Sequence, residues 1–246
     1  MLYLSQVQQA VAVKTSVEWY RSLRPHCMGA LYWQLDDNWP VTSWSSIEYG
    51  GKWKPLHYLA RRFYAPLSVM ALPGERIVAL NDLPEAVSAE IAAEYWSFDG
   101  RILAVDRWMA VLPPDSSTDV GTWSKRENAF VLLTLKSPRG NFANEWFFDA
   151  YKACTLAAAK VSMACEDLSV TLSTDFPAFF VWVNARGVRG EFSDNCFALL
   201  PGRPKVLSFR PKGGSVSADD FKRSLSVTHL SETYMSGRTG HGSPTD

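Results

Sequence analysis

Two tryptophans, an amide and a carboxylate lie close together near the start of the chain. They are Trp33, Gln34, Asp37 and Trp39. An indole ring stacks on the apolar face of a sugar ring, and amide and carboxylate groups form hydrogen bonds with its hydroxyls. These residue types in this spacing indicate a surface that binds carbohydrate. The same residues also suit a core strand followed by a polar surface loop, and one such unit does not specify a fold.

The flanking residues predict the elements that position this group. Residues 30–33 form an apolar run rich in the aromatic side chains that strands favour, and Gly50 with Gly51 predicts a turn. Apolar residues then recur at helical spacing, at Leu56, Leu59, Ala60 and Phe63. We therefore expect a buried strand, a long loop and a helix over residues 29–66. In a (β/α)8 barrel, a loop in this position lies on the active face.

This stretch resembles the final strand, loop and helix of the catalytic barrel in the β-mannosidases of glycoside hydrolase family 2. The resemblance includes YWQLDDNW at residues 32–39 and YGGKWK at residues 49–54. A second similarity is GEFSDN at residues 190–195, which resembles a motif in the last domain of the animal lysosomal enzymes. The similarity is dense over residues 28–66, recurs over residues 176–197 and is diffuse between them.

The resemblance implies that the catalytic residues are not in this chain. A retaining glycosidase uses two carboxyl groups about 5 Å apart. In this family both are glutamates at the ends of earlier barrel strands, upstream of the helix that opens this chain. Glu48 lies near the Gly-Gly turn and matches neither motif, so we assign it no catalytic role. Trp44 and Trp53 are predicted to be packing residues, and His57 is predicted to make a helix or loop contact.

The resemblance also assigns roles to the four residues named first. Trp33 is expected to form the floor of the subsite that holds the sugar to be cleaved. Gln34, Asp37 and Trp39 are expected at its rim, as polar or stacking residues. Asp36 stands where the family usually has Asn, and a carboxylate lacks the two N–H donors of the amide. The role of Asp36 is therefore open.

Composition excludes several classes of partner. Lys plus Arg and Asp plus Glu both number 25, so no net field favours nucleic acid or an anionic membrane. No apolar run approaches the length of a membrane span, and the opening residues do not resemble a signal peptide. Four cysteines show no metal-binding spacing, and they leave a bridge between Cys154 and Cys165 open. No cofactor is expected, and a lysosomal location follows from the family alone.

The rest of the chain predicts one helix and many short strands. Residues 2–23 keep one largely apolar side and predict a helix, which the family places before the last barrel strand. A chain that begins there is expected to expose surfaces that meet other barrel units. From residue 67 onward, turn signals about ten residues apart indicate a β-sandwich. The strands predicted first are residues 67–71, 76–80, 87–98 and 101–112.

A polar, turn-rich linker is predicted at residues 113–123 and a second sandwich at residues 124–234. Its predicted strands are residues 128–135, 144–150, 158–165, 168–174, 178–184, 206–210 and 224–229. Residues 187–195 predict a loop in which Asp194 and Asn195 form side-chain-to-backbone turns, which we favour over ligand binding. The small polar tail at residues 235–246 predicts disorder.

The sequence thus predicts a mainly β chain. Residues 1–66 would be the C-terminal end of a (β/α)8 barrel, followed by immunoglobulin-like sandwiches at residues 67–123 and 124–234. The implied function is the C-terminal part of a retaining β-mannosidase, which removes terminal β-D-mannose from oligosaccharides and glycoproteins and is inactive alone. Its expected partners are a β-mannoside oligosaccharide and the upstream barrel segment. The alternative is a non-catalytic module that binds glycans or proteins.

Overall fold

The computed structural model describes residues 2–235, which begin with two helices and continue as antiparallel sheets. Helix α1 (Leu2–Ser22) is separated from α2 (Pro55–Phe63) by a long loop. The next strands are β1 (Leu67–Leu72), β2 (Arg76–Asn81), β3 (Val87–Ser97), β4 (Ile102–Leu112), β5 (Ser116–Thr122), β6 (Ala129–Ser137) and β7 (Gly140–Phe147). The chain is mainly β and immunoglobulin-like, as predicted, and the described residues contain no closed barrel.

The first sandwich consists of a sheet in the order β1-β2-β5 packed on a sheet in the order β4-β3-β6-β7. Strand β3 places alternate residues in the core, because successive side chains of a strand point to opposite faces. These residues are Val87, Ala89, Ile91, Ala93 and Tyr95, all at most 4% exposed. A hairpin turn at Asp99 and Gly100 joins β3 to β4.

Two sequence predictions in this region need correction. Residues 116–122 lie in the predicted linker but form β5, which pairs with β2 along its length. Strands β6 and β7 lie beyond the predicted boundary at residues 123 and 124, yet β6 pairs with β3. The first sandwich therefore continues to Phe147. A polar strand such as β5 is fixed by the backbone hydrogen bonds of its neighbour, which local residue preferences do not reveal.

The second sandwich consists of a sheet in the order β12-β10-β14 and a sheet in the order β11-β13-β9-β8. Its strands are β8 (Val161–Glu166), β9 (Ser169–Thr174), β10 (Ala178–Ala185), β11 (Gly190–Phe192), β12 (Phe197–Leu199), β13 (Lys205–Pro211) and β14 (Leu225–Thr228). Two short helices that the sequence did not predict, α3 (Ala218–Ser224) and α4 (Leu230–Met235), flank β14. Strand β11 lies within the predicted loop at residues 187–195.

A shared apolar cluster joins the two helices to both sandwiches. Its members are Val7, Ala10, Leu56 and Phe63 from the helices, Trp96, Phe98 and Phe130 from the first sandwich, and Phe179, Phe180 and Leu200 from the second, among others. Arg21 adds polar contacts beside this cluster. Its guanidinium donates to the carbonyl oxygens of Phe63 and Ala65 and to Asp82. The helices are therefore held in a fixed relation to the sheets.

The predicted strand at residues 30–33 is not formed. This stretch has no partner strand within the described residues, and Leu31 is 99% exposed. A strand needs a neighbour to accept its backbone hydrogen bonds, and the described residues supply none here. The prediction of a buried strand was therefore wrong for the chain as it folds here.

The four cysteines are free thiols, so the bridge between Cys154 and Cys165 is not formed. Residues 236–246 of the predicted disordered tail lie outside the described residues, whereas Met235 ends α4. No helix within residues 2–235 is long and apolar enough to cross a membrane.

Gly190 offers a test of the packing of the second sandwich. A Cβ atom at this position would lie 2.3 Å from the Phe209 ring and 2.5 Å from the Arg210 carbonyl oxygen. We expect Gly190→Ala to lower the free energy of unfolding by about 1–3 kcal/mol, the usual cost of overpacking. Urea denaturation measures the change. Gly29→Ala is the control, because its Cβ would meet no atom within 4 Å, and an equal loss in both variants would contradict the prediction.

Candidate functional site

A buried polar cluster around Asp37 organises the loop between α1 and α2. The Oγ atoms of Ser43 and Ser45 lie 2.6 Å and 2.7 Å from the two carboxylate oxygens of Asp37, and both donate to them. Lys54 Nζ donates to Asp37 Oδ2 at 3.3 Å and to Ser45 Oγ at 2.7 Å. The Asp37 and Lys54 side chains are only 2% and 8% exposed. The hydrogen bonds from Ser43 and Ser45, supported by Lys54, hold the pKa of Asp37 below its ordinary value.

Backbone hydrogen bonds fold the same loop onto itself. The N–H of Ile47 donates to the Leu35 carbonyl at 2.8 Å, and the N–H of Asp37 donates to the Ile47 carbonyl at 3.2 Å. The N–H of Lys54 donates to the Ser46 carbonyl at 2.9 Å, which brings the Lys54 side chain back toward Asp37. The loop is therefore an ordered support although it contains only isolated bridges of β-structure.

The two predicted stacking residues project from this support. Trp33 is 75% exposed and Trp39 is 63% exposed. Gln34 is half-buried, and its Nε2 donates to the Asp36 carbonyl at 2.9 Å. The peptide bond between Trp33 and Gln34 is cis. Two indole rings are thus available to stack on a ligand, whereas the Gln34 amide already makes one contact within the loop.

Asp37 differs from the other three predicted residues in its orientation. Its carboxylate faces Ser43, Ser45 and Lys54 inside the loop, and its side chain is almost completely buried. A sugar hydroxyl would have to displace one of these partners. The predicted direct contact of Asp37 with a sugar stays a prediction, and the geometry favours a positioning role. Residue spacing does not reveal this cluster, because Asp37 and Lys54 are 17 residues apart and fit no local pattern.

The other aromatic residues of this stretch divide into exposed and packed ones. Trp44 is 60% exposed, so the prediction that it packs was wrong. Trp53 packs edge-on against His57 and Tyr58, with ring centroids 4.3 Å and 5.2 Å apart, as predicted. His57 Nδ1 also lies 3.0 Å from Ser46 Oγ, which is the loop contact expected of it. Burial lowers the pKa of His57, and Arg61 adds to this effect.

Arg62 attaches the end of α2 to the second sandwich. Its guanidinium donates to the carbonyl oxygens of Cys196 at 2.7 Å and Asn195 at 2.6 Å, and to Asp194 Oδ1 at 2.6 Å. Lys205 Nζ donates to the other Asp194 oxygen at 2.6 Å. Burial alone would raise the pKa of Asp194, but Arg62 and Lys205 outweigh it and the pKa is lowered. Sequence reasoning missed Arg62 because its partners lie more than 130 residues away.

The GEFSDN stretch at residues 190–195 has the structural role that the sequence favoured. Asp194 Oδ1 accepts a hydrogen bond from the N–H of Asn195 at 2.9 Å, a side-chain-to-backbone contact between adjacent residues that does not close the predicted turn. The Asn195 side chain accepts from the N–H of Val183 and donates to its carbonyl, both at 2.8 Å. These side chains are occupied by the fold, so they stabilise the loop that receives Arg62.

The described residues offer stacking surfaces and hydrogen-bond groups, and within them no cluster of three or more His, Cys, Asp and Glu could hold a metal ion. Glu48 is exposed in the turn before Gly51 and enters no ion pair within the described part of the chain. The arrangement presents exposed aromatic rings beside hydrogen-bond groups, and no group in it is assigned to covalent or acid-base chemistry.

Comparison with known proteins finds β-mannosidases among similar sequences and among similar solved structures. A family model for an Ig-fold domain, Ig_mannosidase, matches residues 153–233. β-Mannosidases of Capra hircus and Mus musculus are each 32% identical to this chain over 95% of its length. The crystal structure of a β-D-mannosidase from Dictyoglomus thermophilum matches with a TM-score of 0.78 and 26% identity over 92% of this chain. The sequence and fold of this chain are therefore similar to those of β-mannosidases.

The relationship covers only part of each relative. The chain spans 30% of the length of the Capra hircus and Mus musculus β-mannosidases and 29% of the Dictyoglomus thermophilum chain. β-Mannosidase A of Aspergillus clavatus is also similar, with 28% identity over 93% of this chain. An exo-chitosanase from Amycolatopsis orientalis matches with a TM-score of 0.70 at 16% identity, which shows a shared fold alone.

The attachment of α2 can be tested at Arg62. We expect Arg62→Ala to lower the free energy of unfolding by about 2 kcal/mol, because it removes hydrogen bonds from a charged donor. Urea denaturation of the purified chain measures the loss. Arg101→Ala is the control, since that guanidinium is 76% exposed and its ion pair with Asp99 lies at the surface, where such pairs contribute at most about 1 kcal/mol. Equal stability of Arg62→Ala and the unmodified chain would contradict the assignment.

The Asp37 cluster predicts a pH dependence with a defined sign. The folded-state pKa of Asp37 lies below its ordinary value of 3.8, so the unfolded chain takes up a proton first as pH falls. The stability that the ionised carboxylate contributes is therefore complete above pH 3.8 and is lost as pH falls through the lower folded-state pKa.

The test compares the unmodified chain with Asp37→Asn across pH. The amide keeps the shape of the side chain but removes the charge that faces Lys54. We expect the variant to be less stable at neutral pH and the difference in urea midpoint to shrink as pH falls below 3.8. A difference that is constant across this range would show that the charge of Asp37 is unimportant.

Proposed function

We propose that this chain is the C-terminal part of a retaining β-mannosidase and contributes the aromatic wall of its substrate-binding site. The observation that carries the proposal is the strongly exposed indole of Trp33, held on an ordered loop in a chain related to β-mannosidases. Trp33 forms the floor beneath the sugar to be cleaved. Gln34 and Trp39 lie at the rim, and Asp37 positions the loop through Lys54.

Exposed apolar side chains in the helix and loop region support a contact with another part of the enzyme. Residues 2–64 expose large apolar side chains at Leu2, Leu4, Trp19, Tyr20, Met28, Leu31, Trp33, Leu35, Trp39, Val41, Trp44, Tyr49 and Tyr64. Soluble proteins rarely leave a large contiguous apolar surface in contact with water. We propose that the barrel segment carrying both catalytic glutamates covers much of this region and leaves the sugar-binding rings accessible.

Under this proposal the isolated chain has no catalytic activity of its own. Since the nucleophile and the acid/base are supplied by the upstream barrel segment, the isolated chain binds but does not hydrolyse β-mannosides. The substrate is the terminal β-D-mannose of oligosaccharides and glycoproteins, and no cofactor takes part. A lysosomal location belongs to the proposal as well. Relatives in Capra hircus and Mus musculus agree with it, and relatives in fungi show that the family is not confined to animals.

The alternative is a non-catalytic module that binds glycans or proteins through its sandwiches. The free outer face of β4 favours this second candidate, since Met109 and Val111 are 78% and 65% exposed there. In that case Trp33 would not be needed for ligand binding. The two candidates therefore differ in the effect of one substitution.

The substitution Trp33→Ala distinguishes the two candidates. Isothermal titration calorimetry measures binding of β-1,4-mannobiose to the purified chain with and without it. We expect at least about a tenfold loss of affinity, because the stacking face of one large aromatic ring is removed. Trp44→Ala is the matched control, an exposed tryptophan of the same loop, and we expect it to bind normally. Binding that survives Trp33→Ala unchanged would favour the alternative module.

A hydrolysis assay completes the experiment. We expect no release of p-nitrophenol from p-nitrophenyl β-D-mannoside by the isolated chain. Turnover that is abolished by Glu48→Gln would place an acid of this chain in the catalytic reaction and overturn the proposed division of roles.

A further inference from the structure

A cavity with a volume of about 460 Å³ lies between the turn before α2 and the second sandwich. One side is formed by residues 48–53 and the other by residues 182–190, which contain the end of β10 and the loop that follows. The two sides are connected directly. Lys52 Nζ donates to Asn184 Oδ1 at 2.8 Å, and Arg189 Nη2 donates to the Gly50 carbonyl at 3.4 Å. The cavity contains none of Trp33, Gln34, Asp37 or Trp39.

Five aromatic side chains line this cavity, and Trp53, Tyr58 and Trp182 among them contact one another. Trp53 and Tyr58 have ring centroids 5.2 Å apart, and Tyr58 and Trp182 have centroids 5.8 Å apart, both in edge-to-face contact. Tyr58 is buried, whereas Trp53 and Trp182 are half-buried and retain accessible surface. A wall of this kind binds the apolar face of a ring-shaped ligand.

The rim of the cavity carries positive charge that the protein does not neutralise. Lys52, Arg186 and Arg189 line the cavity, and none of them enters an ion pair within residues 2–235. Lys212 also lines it but is paired with Glu191 at 2.8 Å. Glu48 is the unpaired acid of the lining. Three free cations against one free carboxylate leave a positive excess at the mouth of the cavity.

The unpaired cations of the lining keep hydrogen-bond donors that the protein does not use. Arginine has five N–H donors and lysine has three. Arg189 and Lys52 each use a donor in the contacts that join the two sides. The Arg186 side chain makes no hydrogen bond or ion pair with the described residues. The backbone N–H of Arg186 donates to the Ser224 carbonyl. Guanidinium groups bind carboxylate and phosphate through paired hydrogen bonds.

We propose that this cavity is a second binding site, specific for a sugar that carries an anionic group. The aromatic wall contacts the sugar ring, and Arg186 and Arg189 bind the carboxylate or phosphate, with Lys52 adding to the attraction. The site does not depend on the β-mannosidase function proposed above, because its lining and its chemistry are separate. It would hold an acidic residue of a glycan while another part of the glycan remains free.

The test is titration of the full 246-residue chain with four probes, followed by saturation-transfer NMR and calorimetry. The probes are glucuronic acid, glucose 6-phosphate, neutral glucose and inorganic phosphate. We expect either acidic sugar to bind at least about tenfold more tightly than glucose, the effect of one charge-assisted hydrogen bond. The stronger of the two identifies the source of the anion. We expect phosphate alone to bind more weakly than glucose 6-phosphate because it lacks a ring.

The double substitution Arg186→Gln and Arg189→Gln should weaken binding of the acidic sugar by at least about tenfold and leave glucose unaffected. The control is Lys136→Gln with Lys160→Gln, which removes the same charge from exposed positions outside the cavity lining. If both double variants weakened binding of the acidic sugar equally, net charge alone would explain the loss and the proposal would be overturned. Equal affinity for glucose and the acidic sugars, or no saturation transfer from the protein to any sugar, would also overturn it.

Discussion

The ion pair between Asp37 and Lys54 is the interaction on which the presentation of the aromatic loop depends. Charges are rarely buried unless they are paired and hydrogen-bonded, because desolvation is costly. Here the carboxylate is satisfied by two serine hydroxyls and an ammonium group. This arrangement closes a loop that has little regular secondary structure of its own. It also explains how exposed tryptophans can be held in place without burying their rings.

Helix α2 connects the loop around Asp37 to the rest of the molecule. Lys54 immediately precedes the helix, Arg62 lies near its end, and Arg21 of α1 donates to the carbonyl of its last residue, Phe63. Arg62 is bound by the loop of the second sandwich, and Arg21 reaches Asp82 at the end of β2. One short helix thereby connects the aromatic loop to both sandwiches. The apolar cluster beneath it adds hydrophobic burial to these polar contacts.

The two surfaces that we connect with sugars use the same chemistry in different settings. The Trp33 surface consists of exposed rings on a single loop, and its remaining walls belong to the proposed barrel segment. The cavity at Trp182 is complete within the described residues and combines aromatic rings with unpaired cations. The Trp33 surface is suited to a neutral sugar ring whose hydrolysis depends on the proposed barrel segment. The second is suited to an acidic ring that is held by charge.

The sequence by itself determined the resemblance to β-mannosidases through the loop motifs, and it determined the mainly β class and most of the strands because alternating apolar residues and turn signals are local properties. It also identified the aromatic residues of the loop, since their types alone suit a sugar. Tertiary structure decided the rest. Strand β5 exists because β2 pairs with it, and residues 30–33 are not a strand because the described chain gives them no partner. Asp37 turns inward because Lys54 folds back onto it, and the cavity exists because stretches more than 130 residues apart meet. Such contacts depend on distances in space, which neither residue type nor spacing along the chain records.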